Sequence, residues 1–379
     1  MAPQPFTLNI ADAAIADLKT RLALTRLPDS APGQPWAFGA SVEYVRDLTA
    51  YWKDTFDWRA QEAALNAFPQ FKVPLHDIDL HYLHVPGVGP NPYPLLLLHG
   101  WPGSVYEFLD IIPRLTDPAR FGGDPKDAFT VIAPSLPGYG LSFKPGQKRF
   151  TLQDIAACVH DLMTKTLGFA KFAVQGGDWG AGTASLIGHD YPDSVCGIHV
   201  NLLFVPRDRP ENPDTEQYAA DLALWLKEET GYQQSQGTKP QTLAFALTDS
   251  PAGLAAWIVE KFRSWSDCDG VPENAIARDR MLANIALYWF TGAIGSSFWP
   301  YYGRLHTGWP IGPHSPITVP TGYAAFPKEI LLPPRSIAEK TYTNIQRWTE
   351  MKKGGHFAAM EQPAALAGEI RHFFRPLRA

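Results

Sequence analysis

The segment Val174-Gln175-Gly176-Gly177-Asp178-Trp179-Gly180 runs from an apolar stretch into a series of small residues through a G-x-D-x-G corner. That spacing is the spacing of a nucleophile elbow, a sharp strand-to-helix turn whose central residue is normally serine. Glycines flank the centre because side chains there would collide with neighbouring backbone, and the central side chain is pushed out above the sheet. The helix that follows points its positive end at this position, which favours a carboxylate there and a negative charge on an intermediate. A serine alkoxide attacking a saturated carbon would leave an ether, which water does not cleave on an enzyme's timescale. A carboxylate leaves an ester, whose carbonyl water can attack, so Asp178 predicts chemistry at an alkyl carbon. The bland alternative is a glycine-rich turn with a helix-capping aspartate. A dinucleotide-binding fingerprint fits worse, because the sixth position of the run from Gly180 is Ser185 and not Gly or Ala.

Two further motifs could complete a site. His99-Gly100-Trp101-Pro102-Gly103 follows the apolar run PLLLL, and a loop there can aim backbone N–H groups beside the elbow. Trp101 and Trp179 are the expected donors of an oxyanion hole. His99 is read as fixing that loop, with a role as base as the alternative. Gly354-Gly355-His356-Phe357 comes late in the chain, where the order nucleophile, acid, histidine places the base. His81 and His84 lie on a strand-like run where residues three apart face opposite ways, so they are read as structural and not as a metal pair.

These residues need elements to hold them. PLLLLHG (94–100) and FTVIAPS (129–135) are unbroken apolar runs, as expected of parallel strands covered on both faces. VPLHDIDLHYLHV (73–85) alternates and predicts a hairpin or edge strands. A helix is expected over 151–167, stopped by Gly168, then a strand at KFAVQ, a helix from the elbow, and a strand at CGIHVNLLF. Strand and helix in this alternation give a doubly wound α/β pattern. Ahead of it, residues 1–70 read as a helical extension, with Ile15, Leu18 and Leu22 on one face and Val45, Leu48 and Trp52 on another, and a boundary near Pro69. The first part of the core spans 71–205. The alternation stops near Pro206, and residues 206–300 read as a helical lid, with Ser250 as an N-cap before Pro251. The core resumes over 301–379, with SPITVPTGYAAFP and TYTNIQRWTEMKKGG as the last strands and a closing helix, Pro363 to Phe374.

Composition narrows the function classes. The 379 residues are 45% hydrophobic and 19% charged, too apolar for a disordered chain. Lys+Arg 33 against Asp+Glu 38 gives a net charge of -5, without the basic block that nucleic acid would require. Cys158, Cys196 and Cys268 show no C-x-x-C spacing, which argues against a disulfide framework or zinc cage and for a reducing, cytoplasmic setting. The opening MAPQPFTLNIADAAIADL has no Lys or Arg before Lys19 and no apolar core, so neither an export signal nor a membrane anchor is expected.

The motifs LTRLPD, HGWPGS, PSLPGYGLS, GGDWG and GGHFAAMEQP, spread over nearly the whole chain, resemble those of the α/β-hydrolase superfamily and, more narrowly, of the microsomal-type epoxide hydrolases. The resemblance implies an α/β-hydrolase fold: a mostly parallel central sheet flanked by helices, with a helical lid insertion and a helical N-terminal extension. It implies an acidic residue after the penultimate strand, the place of Glu329 in AAFPKEI, with Glu339 and Glu350 later in the segment as alternatives. It also implies two lid tyrosines, Tyr232 in TGYQQSQGTKP and Tyr301 in IGSSFWPYYG, with Tyr302 adjacent to the second. Membrane-bound relatives begin with an anchor helix, and none is expected from the opening of this sequence.

The implied reaction opens an epoxide to a vicinal diol. Asp178 attacks a ring carbon, Tyr232 and Tyr301 protonate the ring oxygen, and His356, oriented by Glu329, activates the water that hydrolyses the resulting ester. The partners are then a small-molecule epoxide and water, with no metal and no organic cofactor, no nucleic acid and no membrane, and a homo-oligomer is compatible with the sequence. Haloalkane dehalogenase is the nearest rival, since it too uses Asp on this fold, followed by Trp, but it needs halide-binding N–H donors in place of the tyrosines. A non-catalytic binding protein using the same cavity is a second alternative. A carboxylesterase fits less well, because an acyl substrate would give an anhydride on Asp178.

Overall fold

A computed structural model describes residues 2–205 and 213–378 of the chain. Nine strands form one sheet: β1 (Gln4–Phe6), β2 (Gln70–Leu75), β3 (Ile78–Val85), β4 (Tyr93–Leu98), β5 (Phe129–Pro134), β6 (Phe172–Gly176), β7 (Val195–Val200), β8 (Thr321–Ala325) and β9 (Ile345–Glu350). Their order across the sheet is β1-β2-β3-β5-β4-β6-β7-β8-β9. The pairs from β1 through β3 to β5 are antiparallel, and the rest, from β5 through β4 to β9, are parallel. This is the α/β-hydrolase architecture, with helices on both faces of a mostly parallel sheet.

The apolar runs lie at the centre. Leu95 to Leu98 on β4 are fully buried, as are Phe172, Ala173 and Val174 on β6. β4 and β6 pair in register, Leu98 opposite Gly176, so the loops leaving their carboxyl ends, HGWPG and the elbow, start side by side. Ligands bind beyond the carboxyl ends of strands in open parallel sheets, and this pairing puts two motifs 77 residues apart into one place. The hairpin of β2 and β3 turns through His76 and Asp77, both at positive φ, the geometry of a tight two-residue connection.

The N-terminal segment differs from the helical extension expected over 1–70. Its helices, Asp12–Ala23, Val42–Asp54 and Trp58–Asn66, bury Leu18, Leu22, Val45, Leu48 and Trp52. It also contributes β1, which pairs Gln4 to Phe6 with β2 and lengthens the sheet. Three residues are too few to carry a period, so the strand is visible only through its partner. Glu62 ties the segment down, accepting the Ile10 N–H at 2.6 Å and the Trp58 indole N–H at 3.2 Å. The helix expected over 151–167 is α-helical from Leu152 to Asp161, starting from a Thr151–Asp154 capping box, and widens to a π turn over Leu162–Thr166 before Gly168 at φ +75°.

The helical insertion comprises Pro213–Glu228, Gly231–Thr238, Pro240–Asp249, Pro251–Trp265, Arg278–Thr291, Ile294–Ser297 and Trp299–His306. Its expected start at Pro206 lies outside the described residues. Its last helix runs past the boundary expected at residue 300, to His306, because a proline in the first turn of a helix lacks no needed N–H and starts the helix instead of ending it. Ser250 caps Pro251–Trp265 by accepting the Gly253 N–H at 3.0 Å. Among the described residues no single helix is long and apolar enough to cross a membrane. The pair Pro240–Asp249 and Pro251–Trp265 reaches that length only together and is bent by 115°.

Candidate active site

The elbow is built by close backbone contact. A Cβ on Gly176 would come within 2.3 Å of the Gly180 backbone, and one on Gly180 within 2.1 Å of the Leu98 carbonyl oxygen. Asp178 itself is left-handed at φ +48°, a conformation that costs a non-glycine residue about 1–3 kcal/mol and persists where surrounding structure enforces it. Its carboxylate stands at the head of the helix Asp178–Asp190. Oδ1 accepts the Trp101 N–H at 2.7 Å. The Trp179 N–H lies in the first helical turn, where no intrahelical carbonyl can take it. Of the two expected donors, the Trp101 N–H thus holds the carboxylate directly, and the Trp179 N–H belongs to the helix turn that Asp178 begins.

His356 lies on the loop after β9, with Nε2 3.4 Å from Asp178 Oδ2 and Nδ1 2.6 Å from Glu329 Oε1. Glu329 follows β8 and is brought in by a backbone bridge, Lys328 N–H to the Gly354 carbonyl at 3.1 Å. Its Oε1 also accepts the Ile330 N–H at 2.7 Å, while Oε2 is buried without a hydrogen-bond partner among the described residues. Glu339 and Glu350, the alternatives, are exposed. Burial alone would drive the His356 imidazole toward neutrality, but Glu329 and Asp178 outweigh it and hold its pKa well above the ordinary value. Glu329 accepts the Nδ1–H and leaves Nε2 facing Asp178.

Tyr232, on Gly231–Thr238, and Tyr301, on Trp299–His306, close the site from the lid. Trp101 is their platform: Tyr232 stacks on it at 5.4 Å and 9°, and Tyr301 meets it edge-on at 5.8 Å. Tyr301 also packs edge-on against Trp179 at 4.7 Å. Burial, with the Asp178 charge adding to it, pushes both phenols far above their ordinary pKa, so both stay protonated. The Tyr232 hydroxyl accepts from Gln233 Nε2 at 3.2 Å, and the Tyr301 hydroxyl is buried with no hydrogen-bond partner among the described residues. Tyr302 instead stacks on Trp299 and His306, away from this cluster. A cavity of about 660 Å³ opens over these groups, lined by Asp178, Trp179, Phe204, Trp225, Tyr232 and Tyr301 among others.

His99 and His81 hold structure. His99 Nε2 accepts the Leu136 N–H at 3.1 Å, which leaves Nδ1–H to donate to the Gly100 carbonyl at 3.1 Å, and burial lowers its pKa to about 4. A neutral ring with one donor and one acceptor in use is what fixing the HGWPG loop requires. His81 is similarly occupied, between Ser135 at 2.9 Å and Gln70 at 3.0 Å.

Sequence reasoning missed the clamp on the histidine loop. The Trp265 carbonyl accepts the His356 N–H at 2.8 Å, and Asp267 accepts the Gly354 N–H at 2.9 Å. Glu361 accepts N–H groups from Asp267 at 2.8 Å and Phe357 at 3.0 Å, and burial pushes its carboxyl up to about 7. The loop that carries the imidazole is thereby tied to the end of lid helix Pro251–Trp265. Glu361, inside GGHFAAMEQP, offered a local signal as a carboxylate four residues after Phe357. Asp267 offered none.

The chain matches the family model described as "Epoxide hydrolase N terminus" over residues 3–108 and the "alpha/beta hydrolase fold" model over residues 93–254. It is 38% identical to epoxide hydrolase 1 of Sus scrofa over 98% of this chain and 88% of that protein. The solved structure of Aspergillus niger epoxide hydrolase superposes with a TM-score of 0.87 at 31% identity, covering 100% of this chain and 97% of that one. The juvenile hormone epoxide hydrolase of Bombyx mori does so with a TM-score of 0.88 at 29% identity, covering 100% and 95%. A carboxylate on the elbow, flanked by an acid-oriented imidazole and two lid phenols, and likeness along essentially the whole chain agree: the chain belongs to the epoxide hydrolase family.

Proposed function

We propose that the protein hydrolyses epoxides to vicinal diols through a covalent ester on Asp178. The observation that carries this reading is the disposition of one carboxylate, with Oδ1 held by the Trp101 N–H at 2.7 Å and Oδ2 3.4 Å from His356 Nε2. Oδ2 attacks an epoxide carbon, the ring C–O bond breaks, and its electron pair goes to the ring oxygen, which takes a proton from the Tyr232 or Tyr301 hydroxyl. Oδ1 remains as the ester carbonyl oxygen. His356 then takes a proton from water, the hydroxide adds to Cγ, and the N–H groups of Trp101 and Trp179 hold the oxyanion. Cleavage of the ester releases the diol. Over the cycle one water is consumed: its oxygen enters the Asp178 carboxylate and its hydrogens become the two new hydroxyl hydrogens.

The aromatic walls and the volume of the cavity suit a bulky apolar epoxide, with the phenols as the polar groups that orient it. A reducing compartment is inferred from Cys158, Cys196 and Cys268, each buried and unpaired.

The test is a single turnover with enzyme in excess in heavy-oxygen water. The first diol carries an unlabelled oxygen drawn from Asp178, and direct incorporation of solvent oxygen overturns the ester route. Release of halide from haloalkanes with no diol formed from epoxides would shift the reading to dehalogenation. Replacing either lid tyrosine by phenylalanine should slow ring opening by ~10²-fold, the scale of one general acid, and leave hydrolysis of the preformed ester unchanged. Rapid-quench measurement of ester formation and decay separates the two steps.

A further inference from the structure

Behind Asp178 lies a second, much smaller space. A void of about 20 Å³ is lined by Gly100, Trp101, Glu107, Gln175, Asp178 and His356 among others, above the ~10–15 Å³ that one water requires. Among the described residues, Asp178 alone borders both this void and the lid cavity. The carboxylate therefore stands between a space the size of a substrate and a space the size of a water molecule, and neither lid tyrosine reaches the smaller one.

Glu107 enters this void from the short turn Val105–Phe108 that continues the HGWPG loop. Its carboxyl lies against that loop: a Cβ on Gly103 would sit 1.5 Å from Glu107 Oε1, so a side chain at 103 would displace the carboxyl from this position. Neighbouring donors are committed elsewhere. The Tyr288 hydroxyl donates to the Gly103 carbonyl at 2.8 Å, Asn284 Nδ2 donates to the Pro102 carbonyl at 2.7 Å, and Gln175 donates to Asn201 at 3.1 Å. His356 Nδ1 is taken by Glu329, which leaves Nε2 for a water hydrogen.

Resting on the ester mechanism above, we propose that Glu107 holds the hydrolytic water, accepting its second hydrogen while His356 takes the first, so that a lone pair faces Asp178 Cγ. A water bound by His356 alone is free to rotate about one hydrogen bond, and a second acceptor fixes its attack direction. Burial pushes the Glu107 carboxyl up to about 8, with the Asp178 charge adding to the rise and the His356 charge and the Gly100 N–H opposing it. Burial, the largest of these causes, persists once Asp178 is esterified and favours an uncharged acceptor that does not repel the hydroxide forming beside it.

The experiment follows ester formation and decay by rapid quench and intact mass in the full-length protein and in Glu107→Met, which keeps length and removes the strong acceptor. Ester formation should proceed at the parent rate, whereas decay slows by ~10²-fold, the cost of a misplaced reactant, so the alkylated protein dominates the steady state. Glu107→Gln, which retains an oxygen of the same reach, should restore most of the decay rate. If Glu107→Met does not fold, Glu107→Leu takes its place with the same expectation. Decay at the parent rate in a folded variant, or equal slowing of both steps, overturns the assignment to Glu107 alone. Absence of any ester in the parent protein overturns the mechanism itself, and with it this role.

Discussion

Asp178→Ala should remove epoxide turnover almost completely, by on the order of 10⁶-fold, the scale seen when a covalent nucleophile is deleted. No neighbouring group can substitute. Glu107 faces the water-sized void and not the lid cavity, and Glu329 is turned to His356 with its side chain fully buried. The loss should lie in the chemical step. The Trp179, Tyr232 and Tyr301 rings that line the cavity, with Trp101 packed against them, are held by ring contacts that do not involve the carboxylate, so an apolar ligand should still bind, as titration of tryptophan fluorescence would register. Alanine is less tolerant than aspartate of the left-handed backbone at this position, so stability should fall by about 1–2 kcal/mol, readable in denaturant unfolding. Turnover retained within tenfold of the parent would remove Asp178 from the mechanism.

His356→Gln should stop the cycle at a different point. Alkylation needs the carboxylate and the lid phenols, whereas release needs a base at 3.4 Å from the carboxylate. The variant should therefore react once and accumulate an adduct whose mass increase equals that of the epoxide, with steady-state turnover lowered by ~10²–10⁴-fold. A folded variant that binds substrate but shows no adduct would count against the assigned base. The parent protein should show a related pH effect. In the free enzyme Glu329 and Asp178 together hold the imidazole charged. Esterification removes the Asp178 charge, so the pKa of His356 must fall in the intermediate, and it becomes able to accept a proton when one is needed. The rising limb of the ester-decay rate should thus lie at lower pH than the His356 titration of the free enzyme, measured by NMR of the imidazole carbon-bound protons.

The parts of the site legible in the amino-acid order are those whose geometry is enforced within a few residues. Gly176 and Gly180 flank Asp178 because backbone passes within 2.3 Å of where their side chains would be, a constraint that writes itself into a five-residue window. The buried runs at β4 and β6 are legible for a similar reason, since strands covered on both faces need no alternation, and their pairing puts HGWPG beside the elbow. The resemblance carried the rest of the constellation to named positions, but left Glu329 beside Glu339 and Glu350, and Tyr301 beside Tyr302.

Those choices belong to partners far along the chain. Glu329 is 27 residues from the imidazole it orients, and the Asp267 links to Gly354 and Glu361 span 87 and 94. Tyr301 and Tyr302 have the same chemistry and differ only in which side of one helical turn meets Trp101. A local pattern records what the backbone of one segment can tolerate. Which carboxylate reaches a histidine, which phenol faces a cavity, and that a lone glutamate borders a void the size of one water are decided by packing between segments, and no period or spacing within a single segment reports it.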